Sequence, residues 1–277
     1  MRSSTAPKSM PDKSMVRMVN MVKMERIHKT FNPGSVNERP VFAGFGLEIP
    51  KGEFVSVIGS NGSGKTTMLN LLCGTVVQDA GSVKVAGRNV DKLRDHQRAA
   101  FLGRVFQDPA KGTCANLTIL ENMALADNKG QAYGLLPGVN GKRVNAYRAA
   151  LEPLGLGLEN QLHLPVGSLS GGQRQALALL LCTMTPIDLL ILDEHTAALD
   201  PRSSETVMQL TERVVREKKL TTLMVTHNLR YAVRYGDRLM MMHQGRAVLD
   251  VAGPERDAYA VEDLVKLFGE ISIEMGN

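Results

Sequence analysis

Gly59-Ser60-Asn61-Gly62-Ser63-Gly64-Lys65-Thr66 stands between a short apolar run and a helical stretch. No other feature limits the fold as strongly. The octet matches G-x-x-x-x-G-K-[ST], and its flanks are those the pattern requires. Phe54 to Ile58 is apolar and bounded by glycine, as expected of a strand buried in a parallel sheet. Lys65 to Cys73 reads as a helix, with Gly74 placed to end it. The glycines let the backbone curl so that successive N–H groups face phosphate oxygens. The helix start adds the positive end of its dipole. In that geometry Lys65 reaches the β- and γ-phosphates of a nucleotide, and the Thr66 hydroxyl is a Mg2+ ligand. The loop is read as ending at Thr67.

The remaining pattern extends this start. Met21 to Phe31 and Val41 to Ile49 read as strands, and Val83 to Val85 with Ala86-Gly87 as the edge of a hairpin. Strand–helix alternation returns with Leu189 to Leu192, a helix from about Ser203 to Lys218, and Thr221 to Thr226. Such alternation predicts a parallel sheet covered on both faces. Between these halves, about 111–168 has a different texture, with helical spacings broken at Gly130, Pro137-Gly138 and Pro153. It is expected to be a small helical insertion. Asp237 to Asp250 predicts a hairpin around Gln244-Gly245, and Asp257 to Phe268 an amphipathic helix. The expected fold class is therefore α/β. It is a P-loop core with a mostly parallel sheet, an antiparallel β subdomain and a small α-helical insertion.

Charge and cysteine content narrow the function classes. The net charge of +5 invites a nucleic-acid reading. Yet Arg2, Lys8, Lys13, Arg17 and Lys23 face only Asp12 in the first two dozen residues, so the rest of the chain is close to neutral. Residues 1–20 are expected to be a disordered basic tail. Two readings of it stay open: a targeting or regulatory arm, or a true start at Met15, Met18 or Met21. No nucleic-acid partner is expected. Cys73, Cys114 and Cys182 form no CxxC pair and are expected to be small buried hydrophobes in a reducing cytosol. The most apolar stretch, Ala176 to Leu192, is broken by Pro186 and Asp188 and falls short of a membrane span.

Three further segments converge on the carboxyl edge of the expected sheet, where ligands of open α/β sheets bind. Leu189 to Leu192 delivers Asp193 and Glu194 there. Asp193 is the expected Mg2+ partner, and Glu194 is placed to polarise an attacking water. His227 follows the strand Thr221 to Thr226 and is placed to hydrogen-bond the γ-phosphate. Gln107 follows Arg104-Val105-Phe106 and is placed to orient water or Mg2+.

Leu169-Ser170-Gly171-Gly172-Gln173 opens another helix, with Ser170 suited to the N-cap. Five fixed positions arise by chance roughly once in 10⁶ windows at average residue usage. With the phosphate loop, this segment resembles the signature of the ABC-type ATPases over about residues 22–250. The resemblance implies ATP and Mg2+ as cofactors and ATP hydrolysis as the activity. It places Phe31 where an aromatic stacks on adenine, and assigns His227 as the switch histidine. It assigns Ala198-Leu199-Asp200 to contact with an opposite subunit, so that Asp200 joins the nucleotide site. It also implies a head-to-tail homodimer, in which Ser170 and Gly172 of one copy reach the γ-phosphate held by the other. Residues 21–255 would form the ATPase domain and 256–277 a C-terminal helix. Two departures stand out. His195 occupies a position where the family usually has proline, and no catalytic role is assigned to it. The stretch Arg174 to Leu180 is less basic than usual.

The resemblance implies the ATPase subunit of a membrane transporter at the cytoplasmic face of the cell membrane. Its partners would be separate permease subunits and, indirectly, a solute-binding protein. The phrase from Asp193 to Asp200, with Arg104 to Pro109, resembles importer-type members that carry small organic solutes, with amino acids among them. Two alternatives stay open: a soluble ATPase acting on ribosomes or DNA, and an exporter built from separate chains. A non-hydrolysing relative would have lost Glu194 or part of the signature, and neither is lost.

Overall fold

The computed structural model describes residues 20–131 and 138–274. Apart from Asn20, the expected basic tail lies outside the described residues, as does the end of the expected C-terminal helix.

The chain opens with two long strands, β1 (Asn20–Phe31) and β2 (Arg39–Pro50), paired antiparallel. Buried strand β3 (Phe54–Gly59) feeds the phosphate loop and helix α1 (Lys65–Cys73), which Gly74 ends in a left-handed conformation. β4 (Ala80–Val85) and β5 (Arg88–Asn89) form a hairpin, followed by the short α2 (Asp95–Arg98) and β6 (Leu102–Val105). Then come α3 (Ile119–Asp127), α4 (Val144–Leu151) and the longer α5 (Gly171–Thr183). Alternation resumes with β7 (Leu189–Asp193), α6 (Pro201–Lys218), β8 (Thr221–Val225) and α7 (Leu229–Arg234). The hairpin β9 (Arg238–His243) and β10 (Arg246–Ala252) turns at Gln244-Gly245, and α8 (Gly253–Asp257) and α9 (Val261–Glu274) follow.

Two sheets result. One is antiparallel, in the order β2-β1-β4-β5; the other has six strands, in the order β10-β9-β3-β8-β7-β6. In the second sheet every neighbouring pair is parallel except β10 with β9. The expected α/β class, with its antiparallel β subdomain, is the one observed. One detail differs. Val83 to Val85 was expected at a hairpin edge, but β4 lies between β1 and β5. Its valines are buried because, beside Val22 and Met24 of β1, they face the core that α1 fills.

Hydrophobic packing joins these layers. α1 presents Met68, Leu69 and Leu72 to Val55, Val57, Leu189 and Ile191 of the parallel sheet, and the same core includes Val22, Met24 and Ile49 of the antiparallel one. The opposite face of the parallel sheet, with Phe54, Leu190 and Leu192, is covered by α5 and α6. α5 also contributes Ala176, Leu177 and Leu180 to the core around α3 and α4. Serving two cores leaves α5 little outer surface, which accounts for its apolar composition. The cysteines need correction: Cys114 is exposed, and Cys73 and Cys182 are half-buried. Cys114 lies in the loop before α3, where no apolar layer covers it.

Candidate functional site

Because β3, β6, β7 and β8 run parallel, their carboxyl ends meet at one edge. There the phosphate loop encloses a cavity of about 240 Å³. Its lining includes Asn61, Gly62, Ser63, Gly64, Lys65, Thr66 and Thr67, together with Phe31, Glu194 and His227. The aromatic, the loop, the acid and the histidine come from four separate segments. Arg39 and Val41 also line it. Sequence reasoning missed both, because they sit at the start of β2 with no local pattern to mark them. Arg39 brings a guanidinium to the rim of a cavity built for phosphate.

Local geometry explains the loop. Gly64 has φ +104°, and a Cβ there would press on the Phe42 ring at 2.9 Å. Only glycine fits that turn into α1. Gly59, by contrast, ends β3 itself. The Lys65 ammonium donates to the carbonyls of Gly59 at 2.7 Å and Ser60 at 2.9 Å. Burial pushes its pKa below the usual lysine value, and the Glu194 carboxylate opposes that. Ser60 Oγ lies 3.5 Å from His243 Nδ1, and Gly245 N donates to Ser63 O at 2.9 Å, so the β9–β10 turn supports the loop.

Asp193 ends β7, and its Oδ2 accepts from Arg104 Nη2 at 2.6 Å. Glu194 follows at φ +49°, a conformation sparsely populated by residues other than glycine. This kink is held by the bond from Glu194 N to Val225 O at 2.9 Å. It turns the carboxylate toward His227, whose Nε2 lies 2.8 Å from Glu194 Oε1. Asp193 and Glu194 are thus adjacent in sequence but engaged in opposite directions.

His195 is buried, and its Nε2 lies 3.1 Å from Thr211 Oγ1 on α6. The Thr211 hydroxyl itself donates to Val207 O at 2.7 Å. The Thr211 oxygen therefore accepts from an Nε2–H tautomer. Burial pushes the imidazole down to about 4, so the ring is neutral at ordinary pH. Here the imidazole anchors the segment after Glu194 to α6.

The Leu169-to-Gln173 segment lies apart from this cavity. Ser170, Gly172 and Gln173 line a second cavity of about 330 Å³, with Gly155, Arg202 and Ser203. Ser170 caps α5: its hydroxyl accepts from Gln173 N, while Gln173 Oε1 accepts from Ser170 N. Gly172 is required by close packing, since a Cβ would lie 2.9 Å from Ser203 Cβ on α6. Gly171 faces Leu199, and Asp200 caps α6 by accepting from Arg202 N and Ser203 N. Gln107 is exposed in the loop after β6, and among the described residues neither it nor Asp193 lines the 240 Å³ cavity. That loop is tied to α5 by Gln175 Nε2 donating to Phe106 O at 2.9 Å and Arg174 Nε donating to Thr113 Oγ1 at 2.8 Å. Sequence reasoning noted the helix after Gln173 only for its weak basicity and missed these two ties.

Residues 42–197 match the family model described as ABC transporter. The chain belongs to the ABC transporter family. It is similar to the tyrosine transport ATP-binding protein of Clostridioides difficile, at 42% identity over 248 residues, which is 90% of this chain and 98% of that protein. It is also similar, at 34% identity, to lipoprotein-releasing system ATP-binding protein LolD 1 of Caulobacter vibrioides, with 86% of this chain and 98% of that protein covered. Among solved structures it resembles the dimeric post-hydrolysis state of the ATP-binding cassette MJ0796 bound to ADP and Pi. The TM-score is 0.69 at 28% identity, covering 84% of this chain and 98% of that one. This ABC ATPase is thus the ATP-binding subunit that hydrolyses ATP to drive transport.

Proposed function

We propose that this ABC ATPase energises the import of a small organic solute of the amino-acid class through separate permease subunits. Two copies would close head to tail around two ATP molecules. One observation carries the closing motion. Ser170 and Gly172 line a cavity separate from that of Lys65, although both belong to the nucleotide machinery of the family. A second copy supplies the missing half if its Ser170 segment meets the γ-phosphate over this copy's loop. The solute class rests on the likeness to the tyrosine transport protein along nearly its whole length.

Within each half-site, the loop amides from Gly59 to Thr67, with Lys65, would hold the phosphates, and Phe31 would stack on the base. Glu194 would polarise the attacking water, oriented by His227, while Gln107 enters from its loop as the subunits close. Ser170, Gly171, Gly172, Gln173 and Asp200 would act across the interface. The donor set fits Mg2+: the Thr66 hydroxyl opens α1, and the Asp193 carboxylate ends β7, both hard oxygen ligands. Among the described residues no cluster of His, Cys, Asp and Glu forms an all-protein metal cage. That suits a cation that shares its coordination with phosphates and water. When bound, Mg2+ would be held by Thr66 and Asp193 and would supply the positive charge that offsets negative charge developing on the phosphates.

Among the described residues no helix is long and apolar enough to cross a membrane. A mostly apolar groove of about 380 Å³, lined by Phe106, Lys129, Cys182 and neighbours, lies beside the Gln107 loop. It supports docking of a permease segment there, with residues Asp108 to Thr118 relaying hydrolysis, at the cytoplasmic face of the membrane. The test is reconstitution with the permease and solute-binding protein in vesicles. ATP-dependent uptake of an aromatic amino acid supports the reading. Uptake of a different solute overturns the substrate class, and outward movement overturns import.

A further inference from the structure

The Arg104 guanidinium joins two elements that the sequence keeps far apart. Nη2 donates to Asp193 Oδ2 at 2.6 Å, and Nη1 donates to Asn70 Oδ1 at 3.1 Å. Its Cζ lies 4.8 Å from the Phe106 ring centroid, which packs one face of the fork. The side chain is only 15% exposed and that of Asp193 18%, so this ion pair is largely shielded from water.

Register explains why the three meet. In the β6–β7 pair Arg104 stands opposite Ile191. Asp193 is two residues beyond Ile191 and so shares its face of the sheet. That face packs against α1. On α1, Asn70 is four residues after Thr66, which places the two on one side of the helix, one turn apart. Arg104 thus spans from the Thr66 side of the phosphate-loop helix to the strand-end carboxylate.

The geometry points to Arg104 as a positioning residue for the Mg2+ site. It would hold one oxygen of Asp193 so that the other faces the Thr66 hydroxyl. This rests on the reading of Asp193 and Thr66 as the Mg2+ arms. A planar, permanently charged fork suits the task, because it engages both anchors at once. Lysine carries the charge but cannot reproduce that fork.

The test measures binding rather than turnover. ATP affinity is titrated with and without Mg2+, and Mn2+ binding to the ATP complex is followed by electron paramagnetic resonance. Wild type is compared with Arg104→Met, Arg104→Lys, Asn70→Ala and Asp193→Asn. Arg104→Met should weaken divalent-cation affinity about 10-fold, as loss of a group orienting a metal ligand does, with Mg2+-free ATP affinity within about twofold of wild type. Arg104→Lys should fall between the two, and Asn70→Ala should weaken cation binding less than Arg104→Met. If Arg104→Met does not fold, Arg104→Lys and Asn70→Ala carry the comparison. Unchanged cation affinity in the Arg104 and Asn70 variants, with loss in Asp193→Asn, overturns the role of Arg104 alone. Tighter cation binding in Arg104→Met also overturns it, since Arg104 would then compete with the metal. Unchanged cation affinity in Asp193→Asn overturns the underlying reading of the metal arms.

Discussion

His227 Nε2 and Glu194 Oε1 lie 2.8 Å apart, joining the turns that follow two adjacent parallel strands. The contact exists because Glu194 adopts φ +49° and swings away from Asp193. If Glu194 polarises water, Glu194→Gln should keep ATP binding and cut turnover by roughly 10²–10⁴-fold. Phosphate release and nucleotide binding, measured together, check this. Size-exclusion chromatography with ATP should show a trapped dimer. Near-normal hydrolysis would remove Glu194 from the role.

Lys65 holds the carbonyls of Gly59 and Ser60 while facing the phosphate cavity. Lys65→Ala should therefore weaken ATP binding itself, by roughly 10-fold or more if a charge-assisted bond of about 1.5–3 kcal/mol is lost. Fluorescent-nucleotide titration reads this out. Unchanged affinity would contradict the assignment of the loop.

Ser170 lies in a different cavity from Lys65. Ser170→Arg should abolish hydrolysis yet leave ATP binding by the single subunit largely intact. Loss of the cap should also lower stability by about 1 kcal/mol. Binding lost along with turnover would argue against a site shared between two copies.

His195 is buried neutral, with its pKa pushed down to about 4 against an ordinary value of 6.5. The unfolded chain thus binds a proton at a pH where the folded one does not. Its contribution is fully present above about pH 6.5 and declines as pH falls toward 4. By pH 5 the loss should be about 2 kcal/mol. Denaturant unfolding of wild type and His195→Gln at pH 7 and pH 5 isolates the term. The stability gap between the two proteins should narrow at pH 5; a constant gap would place His195 in contact with water.

Arg98 is almost fully buried and caps the C-terminal end of α1. Nη1 donates to Leu71 O at 2.6 Å and Leu72 O at 3.0 Å, and Nε donates to Leu93 O at 2.9 Å. Arg98→Met keeps much of the volume but strands these carbonyls. It should destabilise the protein by about 3 kcal/mol, the penalty for buried acceptors left without a donor. Urea unfolding measures it. A loss below about 1 kcal/mol would mean that water replaces the guanidinium.

The sequence by itself determined the features whose causes are local. The phosphate loop, the α1 boundaries, the Ser170–Gln173 capping box and the turn at Gln244-Gly245 each depend on a few neighbouring residues. Their backbone turns and capping bonds are set by residues close in sequence, while contacts such as Gly245 N to Ser63 O then join one local feature to another. Tertiary structure alone decided which distant groups meet. Arg39 at the cavity rim, Arg104 between Asn70 and Asp193, and His195 against Thr211 all depend on strand order and helix packing. β4 became an interior strand for the same reason, once β1 paired with it. Short-range periodicity records which face of an element is apolar. It carries no record of which other element will cover that face, because the packing free energy is shared among residues far apart in the chain.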